Sequence, residues 1–152
     1  GLRVLRSQVD VHDSKVHRIF RVLVTVLGAS PARAGHLVVI THSDSAIQTL
    51  SREQVSRIFL GRLKLLPTGD RVMVVEAGPL REHFYRRLIG RDIAEINAYW
   101  ARLQFSGRTQ PPLRLASDEE ALAAVLAGRN VVGYVDADVL DPRAKVLFRL
   151  EP

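Results

Sequence analysis

One uninterrupted apolar run constrains the fold more than any other feature of the sequence. Residues 37–41 read Leu-Val-Val-Ile-Thr, with β-branched side chains at four of the five positions. A strand that packs on one face alternates apolar and polar residues, whereas a strand buried on both faces is apolar throughout. The run therefore predicts a central strand in a sheet that is covered on both sides.

Segments of strand and helix character alternate after this run. Strand-type segments at 71–76, 131–135 and 145–150 are separated by segments with helix-start and helix-stop signals. The clearest starts are the capping-box spacings of Ser51–Gln54 and Ser117–Glu120. Alternation of this kind predicts an α/β fold, with a mixed, largely buried sheet and helices on both faces.

Two helices are expected after the second strand. The first begins at Pro79, because a proline at the first helical position loses no hydrogen bond. Its inward residues are Phe84 and Leu88, and Arg81 is expected to point mostly outward. The second helix follows Asp92, with Tyr99 and Trp100 on its apolar side, and a loop begins at Phe105. All three aromatic residues are expected to pack in the core and not to form a stacking platform.

Residues 15–34 have the parts of a secretory signal peptide. Basic residues precede the apolar stretch 22–27, and Ala32-Arg33-Ala34 follows a glycine and a proline that break it. This order predicts cleavage after Ala34 and export, to the periplasm or the cell exterior. A buried strand or a short amphipathic helix is the alternative. The expected organisation is an N-terminal extension with a signal peptide at 1–34 and a folded domain at 35–152.

The positive charge of the chain is concentrated in its N-terminal segment. The formal net charge is +6, from 22 Lys and Arg against 16 Asp and Glu. Residues 1–34 hold six of the basic and two of the acidic residues, which leaves 16 against 14 from residue 35 onward, a net +2. A charge this small and scattered is an ordinary solvated surface, so no nucleic-acid partner is expected.

Several chemical classes lack the residues that they require. The chain has no cysteine, which excludes disulfides, thiolate metal sites and cysteine nucleophiles. The histidines after residue 34 fit no zinc motif, and neither a G-x-S-x-G elbow nor a phosphate-binding glycine loop is present. No apolar run approaches the roughly 18 residues of a membrane-spanning helix. We therefore expect no enzyme, no metal, no cofactor and no membrane span.

The junction of the second strand with the next helix is the most suggestive local feature. A helix start presents unpaired backbone amides and the positive end of the helix dipole, so an oxyanion can dock there. Arg81, in the first turn, could add a charge-assisted contact. The alternative is an ordinary turn with Arg81 in solvent, because every helix has such an end.

A series of segments, in order, carries a family resemblance. They are LVVIT (37–41), LSREQVSRIFLGR (50–62), REHFYRRLIGR (81–91), AYWARLQFSGR (98–108) with Pro111-Pro112, and VVGYV (131–135). Together they resemble the short substrate-binding proteins of phosphate ABC transporters, in the type II periplasmic-binding-protein superfamily. The resemblance implies the fold of one lobe of such a protein.

The same resemblance implies a set of site residues. Larger phosphate-binding relatives carry Ser-Gly-Thr where this chain has Gly78, Pro79 and Leu80, and only Arg81 matches. Both hydroxyl ligands are therefore lost. Two loops, which are either ordinary solvent loops or a border of the same site, complete the candidate set. The expected ligand-binding residues are Gly78, Leu80, Arg81, Ser43, Asp44, Ser45, Ser106 and Arg108.

The resemblance implies an exported, non-catalytic domain that binds phosphate or another small oxyanion. The resemblance covers mainly one lobe, whereas such proteins close two lobes over a ligand. Capture would therefore involve a companion lobe or a dimer, and a membrane permease is the further expected partner. The alternative is a protein-interaction or adaptor module that has kept the fold and lost the ligand, which the missing hydroxyls at 78 and 80 favour.

Overall fold

A computed structural model of the chain describes residues 35–66, 68–107 and 109–151. The expected signal peptide lies outside the described residues, as does Arg108 of the expected site.

Five strands and four helices follow one another along the described chain. The strands are β1 (Leu37–His42), β2 (Met73–Ala77), β3 (Leu113–Leu115), β4 (Val131–Asp136) and β5 (Ala144–Leu150). The helices are α1 (Arg52–Phe59), α2 (Arg81–Ile89), α3 (Ile93–Phe105) and α4 (Asp118–Ala127). Short 3-10 turns at Gly78–Leu80 and Ala137–Val139 follow β2 and β4.

The strands form one mixed sheet in the order β3-β2-β4-β1-β5. β2 pairs in parallel with β3 and β4, whereas β1 runs antiparallel to both of its neighbours. The carboxyl ends of β2, β3 and β4 therefore meet at one edge of the sheet, here named the carboxyl edge. This arrangement confirms the expected mixed α/β fold, to which the structure adds the three-residue β3.

The strand predicted from the apolar run is central and buried. Every side chain from Leu37 to Thr41 is less than 9% exposed, and strands β4 and β5 flank it. Thr41 is the polar member of this run, and its hydroxyl donates to the carbonyl of Val131 at 2.9 Å. The polar group thus has a partner, as burial requires.

Adjacent residues of β4 show that helices cover both faces of the sheet. The Tyr134 ring stacks on Phe84 of α2, with 3.7 Å between ring centroids, and also contacts Phe59 of α1. Gly133 points the opposite way, where an added Cβ would lie 2.7 Å from Val75 Cγ2 and 3.1 Å from Val125 Cγ2 of α4. Because successive strand residues face opposite sides, α1 and α2 cover one face and α4 the other.

One expected core residue lies at the surface. Trp100 is buried and Tyr99 half-buried, but the Phe105 side chain is 97% exposed. Five residues turn a helix through about 500°, so Phe105 projects about 140° away from Trp100. The core expectation for Phe105 is therefore wrong. None of the helices in the described ranges is long and apolar enough to cross a membrane.

Candidate functional site

The chain leaves β2 through a tight turn before α2 begins. The 3-10 turn Gly78–Leu80 follows Ala77, and no side chain caps the first turn of α2. A Cβ added to Gly78 would lie 2.9 Å from the carbonyl oxygen of Leu115 in β3, so the turn can pass this close only with glycine. The start of α2 is thereby held at the carboxyl edge.

Arg81 is buried instead of pointing outward. Its side chain is 6% exposed, which corrects both the outward orientation and the solvent alternative expected from the sequence. The helix begins at Arg81 and not at Pro79, so positions 81, 84, 85 and 88 form its inward stripe. Arg81 occupies the first position of a stripe whose other members are Phe84, Tyr85 and Leu88.

Three neighbours hold the Arg81 guanidinium. Nε donates to Glu76 Oε1 at 3.3 Å, and Nη1 donates to Asn97 Oδ1 at 2.6 Å. The guanidinium carbon also lies 5.5 Å from the centre of the Tyr85 ring, a cation–π contact. The side chain is therefore fixed between β2, α2 and α3.

The carboxyl group of Glu76 lies next to the Arg81 guanidinium. It is 2% exposed, and its Oε2 has no hydrogen-bond partner among the described residues. The hydroxyls of Tyr85 and Tyr134 also form no hydrogen bond with any described residue. Burial raises the pKa of Glu76 above its ordinary value, while Tyr85 and Arg81 act in the opposite direction. Burial and the nearby Glu76 charge raise the pKa of Tyr85, so its phenol stays protonated.

A cavity of about 390 Å³ opens beside this cluster. Its apolar wall consists of Trp100, Pro111 and Pro112. Its polar wall consists of Glu76, Arg81, Asn97, Gln104 and Arg114. We name this space the arginine cavity. It offers two guanidinium groups and two side-chain amides, donors that suit an oxyanion.

Sequence reasoning missed most of this polar wall. Arg114 is an exposed residue of β3, a strand that was not expected after the double proline. Glu76 reaches Arg81 across five residues that belong to a strand, a turn and a helix, so neither helical nor strand periodicity relates them. The available signal was the spacing 81, 84, 85, 88, which puts Arg81 on an apolar face.

The structure does not bring the loop Ser43–Ser45 to this site. The loop follows β1, which runs antiparallel to β4, so it emerges at the edge opposite the carboxyl edge, about 16 Å away along the strands. There the Ser45 carbonyl accepts from Lys145 Nζ at 2.6 Å, and the Ser45 hydroxyl accepts from the Ile47 amide. The amide of Asp44 donates to His42 Nδ1.

The remaining expected residues also lie outside the lining of the arginine cavity. Ser106 follows α3, is exposed, and donates its hydroxyl to the Leu103 carbonyl. Gly78 and Leu80 are half-buried in the turn and position Arg81 without lining the cavity. Arg81 is thus the one expected residue, among those described, that faces it.

Metal-ligating side chains do not cluster within the ranges that the structure describes. Asp136 accepts from the amide of Asp138, and Asp141 forms a two-pronged ion pair with Arg143. The side chains of Asp136 and Asp141 therefore accept hydrogen bonds from backbone amides in the segment that joins β4 to β5.

Comparison with known proteins gives two informative structural matches. No family model and no curated protein matches the sequence. A Clostridium perfringens protein, described as a phosphate ABC transporter substrate-binding protein and solved with bound phosphate, matches with a TM-score of 0.59 at 16% identity. An ABC-type phosphate transport receptor from Vibrio cholerae matches with a TM-score of 0.57 at 16% identity.

Each match covers 74% of this chain but only 45% and 46% of the two solved chains. The likeness therefore concerns less than half of either protein. At 16% sequence identity it shows a similar fold and nothing further. The described residues have a phosphate-binding-protein-like fold, a mixed α/β unit of the kind that forms one lobe of a periplasmic binding protein.

Proposed function

We propose that this chain is an exported, non-catalytic solute-binding domain that holds phosphate or another small oxyanion in the arginine cavity. The observation that carries the proposal is the placement of Arg81. Its guanidinium is buried at the uncapped start of α2, and it faces a cavity that Arg114 also lines. Two cations beside a helix start attract an anion more strongly than either feature alone.

The site would use different groups from those first expected. Gly78 and Leu80 offer no side-chain hydroxyl, so the anion would meet Arg81, Arg114 and the amide groups of Asn97 and Gln104. Arg114 forms no ion pair with any described residue, which leaves its guanidinium available to a ligand. Asn97 and Arg81 already contact each other, so an anion would join an existing network.

The fold likeness supports the wider part of the proposal. The two matched proteins are named as transporter components, and this chain corresponds to less than half of each. Tight capture would accordingly need a companion lobe or a dimer, and a membrane permease would receive the solute. Export to the periplasm or the cell exterior is part of the same proposal. No reaction and no cofactor is assigned.

Calorimetric titration tests the solute-binding function directly. The wild-type chain is expected to bind phosphate, with sulfate and small carboxylates as comparison anions. Arg114→Gln should weaken binding about tenfold or more, the loss expected for one charge-assisted hydrogen bond. Arg114 is exposed, so the variant should fold. Arg86→Gln is the matched control, because Arg86 is an exposed arginine of α2 that pairs with Glu82 away from the cavity.

The absence of both heat and thermal stabilisation at millimolar anion would remove the proposal. If Arg114→Gln and Arg86→Gln weakened anion binding equally, the effect would come from general surface charge and not from the cavity.

A specific observation favours the adaptor module as a second candidate. Arg81 already has two partners, Glu76 and Asn97, so its burial has a structural explanation that needs no ligand. An adaptor would show no stabilisation by any anion, yet would lose stability when Arg81 is replaced. The titration with wild-type protein therefore separates the two functions.

A further inference from the structure

The arginine cavity is larger than an inorganic oxyanion. One phosphorus with four oxygens occupies roughly the volume of three water molecules, about 90 Å³ in total. The cavity measures about 390 Å³, within the range of sites that hold small organic molecules. A bare ion held by the two arginines would leave most of the space to water.

A second cavity of about 560 Å³ adjoins the first. Trp100, Pro111 and Pro112 line both, so these three side chains form a shared wall. The second cavity, here named the apolar cavity, has six aliphatic residues in its lining, Ile58, Leu63, Val72, Met73, Val74 and Leu113. Lys64, Arg71, Thr109 and Gln110 are its polar lining residues. An anion at Arg81 would therefore lie next to an apolar surface.

Two of the aliphatic residues are unusually exposed for their type. Met73 is 59% exposed and Leu113 is 56% exposed, and they lie on the neighbouring strands β2 and β3. Their apolar side chains are in contact with water, and an apolar ligand group that covered them would remove this unfavourable contact. Leu113 lines the apolar cavity, and its neighbour Arg114 lines the arginine cavity.

The shared wall is closely packed at Trp100. Trp100 is 4% exposed, and an added Cβ at Gly61 would lie 2.8 Å from its Cη2 atom, which shows how closely the ring is packed. Its neighbour Tyr99 donates a hydrogen bond to the Leu60 carbonyl at 2.6 Å. The rings of Pro111 and Pro112 fix their own backbone. A preformed wall costs a ligand little ordering entropy.

We infer that the preferred ligand is an organic phosphate monoester, with its phosphate between Arg81 and Arg114 and its apolar group across Trp100 into the apolar cavity. This inference rests on the proposed function and narrows its ligand class. Charge complementarity places the phosphate, and the continuous apolar wall places the rest of the molecule. The volume beyond the wall, about 560 Å³, exceeds the roughly 150 Å³ of a cavity that binds benzene, so a phenyl ring is the smallest apolar group used to probe it.

Three probes test the inference by calorimetry on the full chain: phenyl phosphate, inorganic phosphate and phenol. Phenyl phosphate should bind about tenfold or more tightly than inorganic phosphate, because the ring removes apolar surface from water. Phenol should bind more weakly than either, since it lacks the charged group.

Variants of the exposed apolar residues locate the ring. Met73→Thr and Leu113→Thr retain strand-forming residues while removing most of the apolar contact. Each should reduce the advantage of phenyl phosphate and leave the affinity for inorganic phosphate unchanged. Phe105→Gln is the matched control, because Phe105 is a more exposed apolar residue that lines neither cavity.

The outcomes separate this inference from the function on which it rests. Equal affinities for phenyl phosphate and inorganic phosphate would overturn the inference and retain the oxyanion site. Failure of phenyl phosphate, inorganic phosphate and the comparison anions sulfate and small carboxylates to bind would overturn both the inference and the proposed function. Phenol binding as tightly as phenyl phosphate would also overturn the inference, since the charge would then contribute nothing. If Phe105→Gln reduced the affinity advantage of phenyl phosphate as much as Leu113→Thr does, the apolar cavity would not be where the ring binds.

Discussion

Two helices start side by side at the carboxyl edge, and their starts differ in chemistry. α2 follows β2 and α4 follows β3, with Ala77 and Leu115 paired at the strand ends. The start of α4 is capped: the Ser117 hydroxyl accepts from the Glu120 amide, and Glu120 Oε2 accepts from the Ala116 amide. The start of α2 has no side-chain cap.

The charged residues of the two starts also differ. The first turn of α4 carries Asp118, Glu119 and Glu120, which complement the helix dipole and repel an anion. The first turn of α2 contains Arg81 and the exposed Glu82, and Arg114 lines the same cavity as Arg81. A helix start alone thus does not make an anion site. The start of α2 differs from that of α4 because it has no side-chain cap and has two arginines beside a cavity, Arg81, which is paired with Glu76, and Arg114.

The largest expected effect is at Arg81. Arg81→Met should lower the free energy of unfolding by about 3–5 kcal/mol, because it leaves Glu76 buried without its counter-charge. Urea denaturation measures the loss. The double variant Glu76→Gln with Arg81→Met removes both charges and should recover much of the stability. An equal loss in the single and double variants would show that packing, and not charge pairing, makes the start of α2 part of the core.

A smaller effect is expected at Gly78. Gly78→Ala should cost about 1–3 kcal/mol, because the new Cβ would lie 2.9 Å from the Leu115 carbonyl oxygen and would push the turn away from β3. Urea denaturation measures this loss as well. Anion affinity should fall with it, since Arg114 packs its stem against the same turn. Unchanged stability would show that the close approach has room to relax.

Removal of the cap on α4 should have a milder effect. Ser117→Ala is expected to cost about 1 kcal/mol, the usual value of an N-cap hydroxyl, with no change in anion affinity. Thermal unfolding and titration of the same sample check both parts. Ser56→Ala is the control, because Ser56 bonds to the Arg52 carbonyl inside α1, where alanine is a better helix former. A change in anion affinity in Ser117→Ala would contradict the separation of the two starts.

The sequence predicted those parts of the fold that depend on local patterns. The apolar run placed β1, and the serine caps placed the starts of α1 and α4, because each signal lies within a few residues. β3 was missed because its three residues have exposed or half-buried side chains and follow two prolines. Its place as a strand comes from pairing with β2, a tertiary contact that no local pattern encodes.

The candidate site was only partly predictable for the same reason. Arg81 was selected from a local feature, the helix start. Its partners Glu76 and Asn97, and the second arginine of the cavity, Arg114, come from three other elements, which the fold brings together. The loop Ser43–Ser45 was expected nearby, yet the antiparallel direction of β1 puts it at the opposite edge. The direction of a strand depends on how it pairs in the sheet, which the local sequence pattern does not predict.

The smallest expected signal is a difference between two pH profiles. The folded-state pKa of Glu76 is raised above the ordinary value of 4.5, so between the two values the native state binds more protons than the unfolded state. Stability from this group therefore rises as pH falls through that window and is lost as pH rises through the folded-state pKa. At the start of α4 burial raises the pKa of Asp118 whereas backbone amides lower that of Glu119, so these shifts oppose each other.

Denaturation of wild type and Glu76→Gln from about pH 8 to about pH 5 isolates this contribution. As pH falls, the free energy of unfolding of the wild type should rise relative to that of Glu76→Gln, because glutamine cannot take up the proton. Anion affinity of the wild type should rise in the same direction, since a neutral Glu76 no longer offsets the charge of Arg81. Glu82→Gln, which replaces an exposed acid of α2, is the control and should follow the wild type. Parallel profiles for wild type and Glu76→Gln would mean that the proton equilibrium of the buried carboxyl does not distinguish the start of α2 from that of α4.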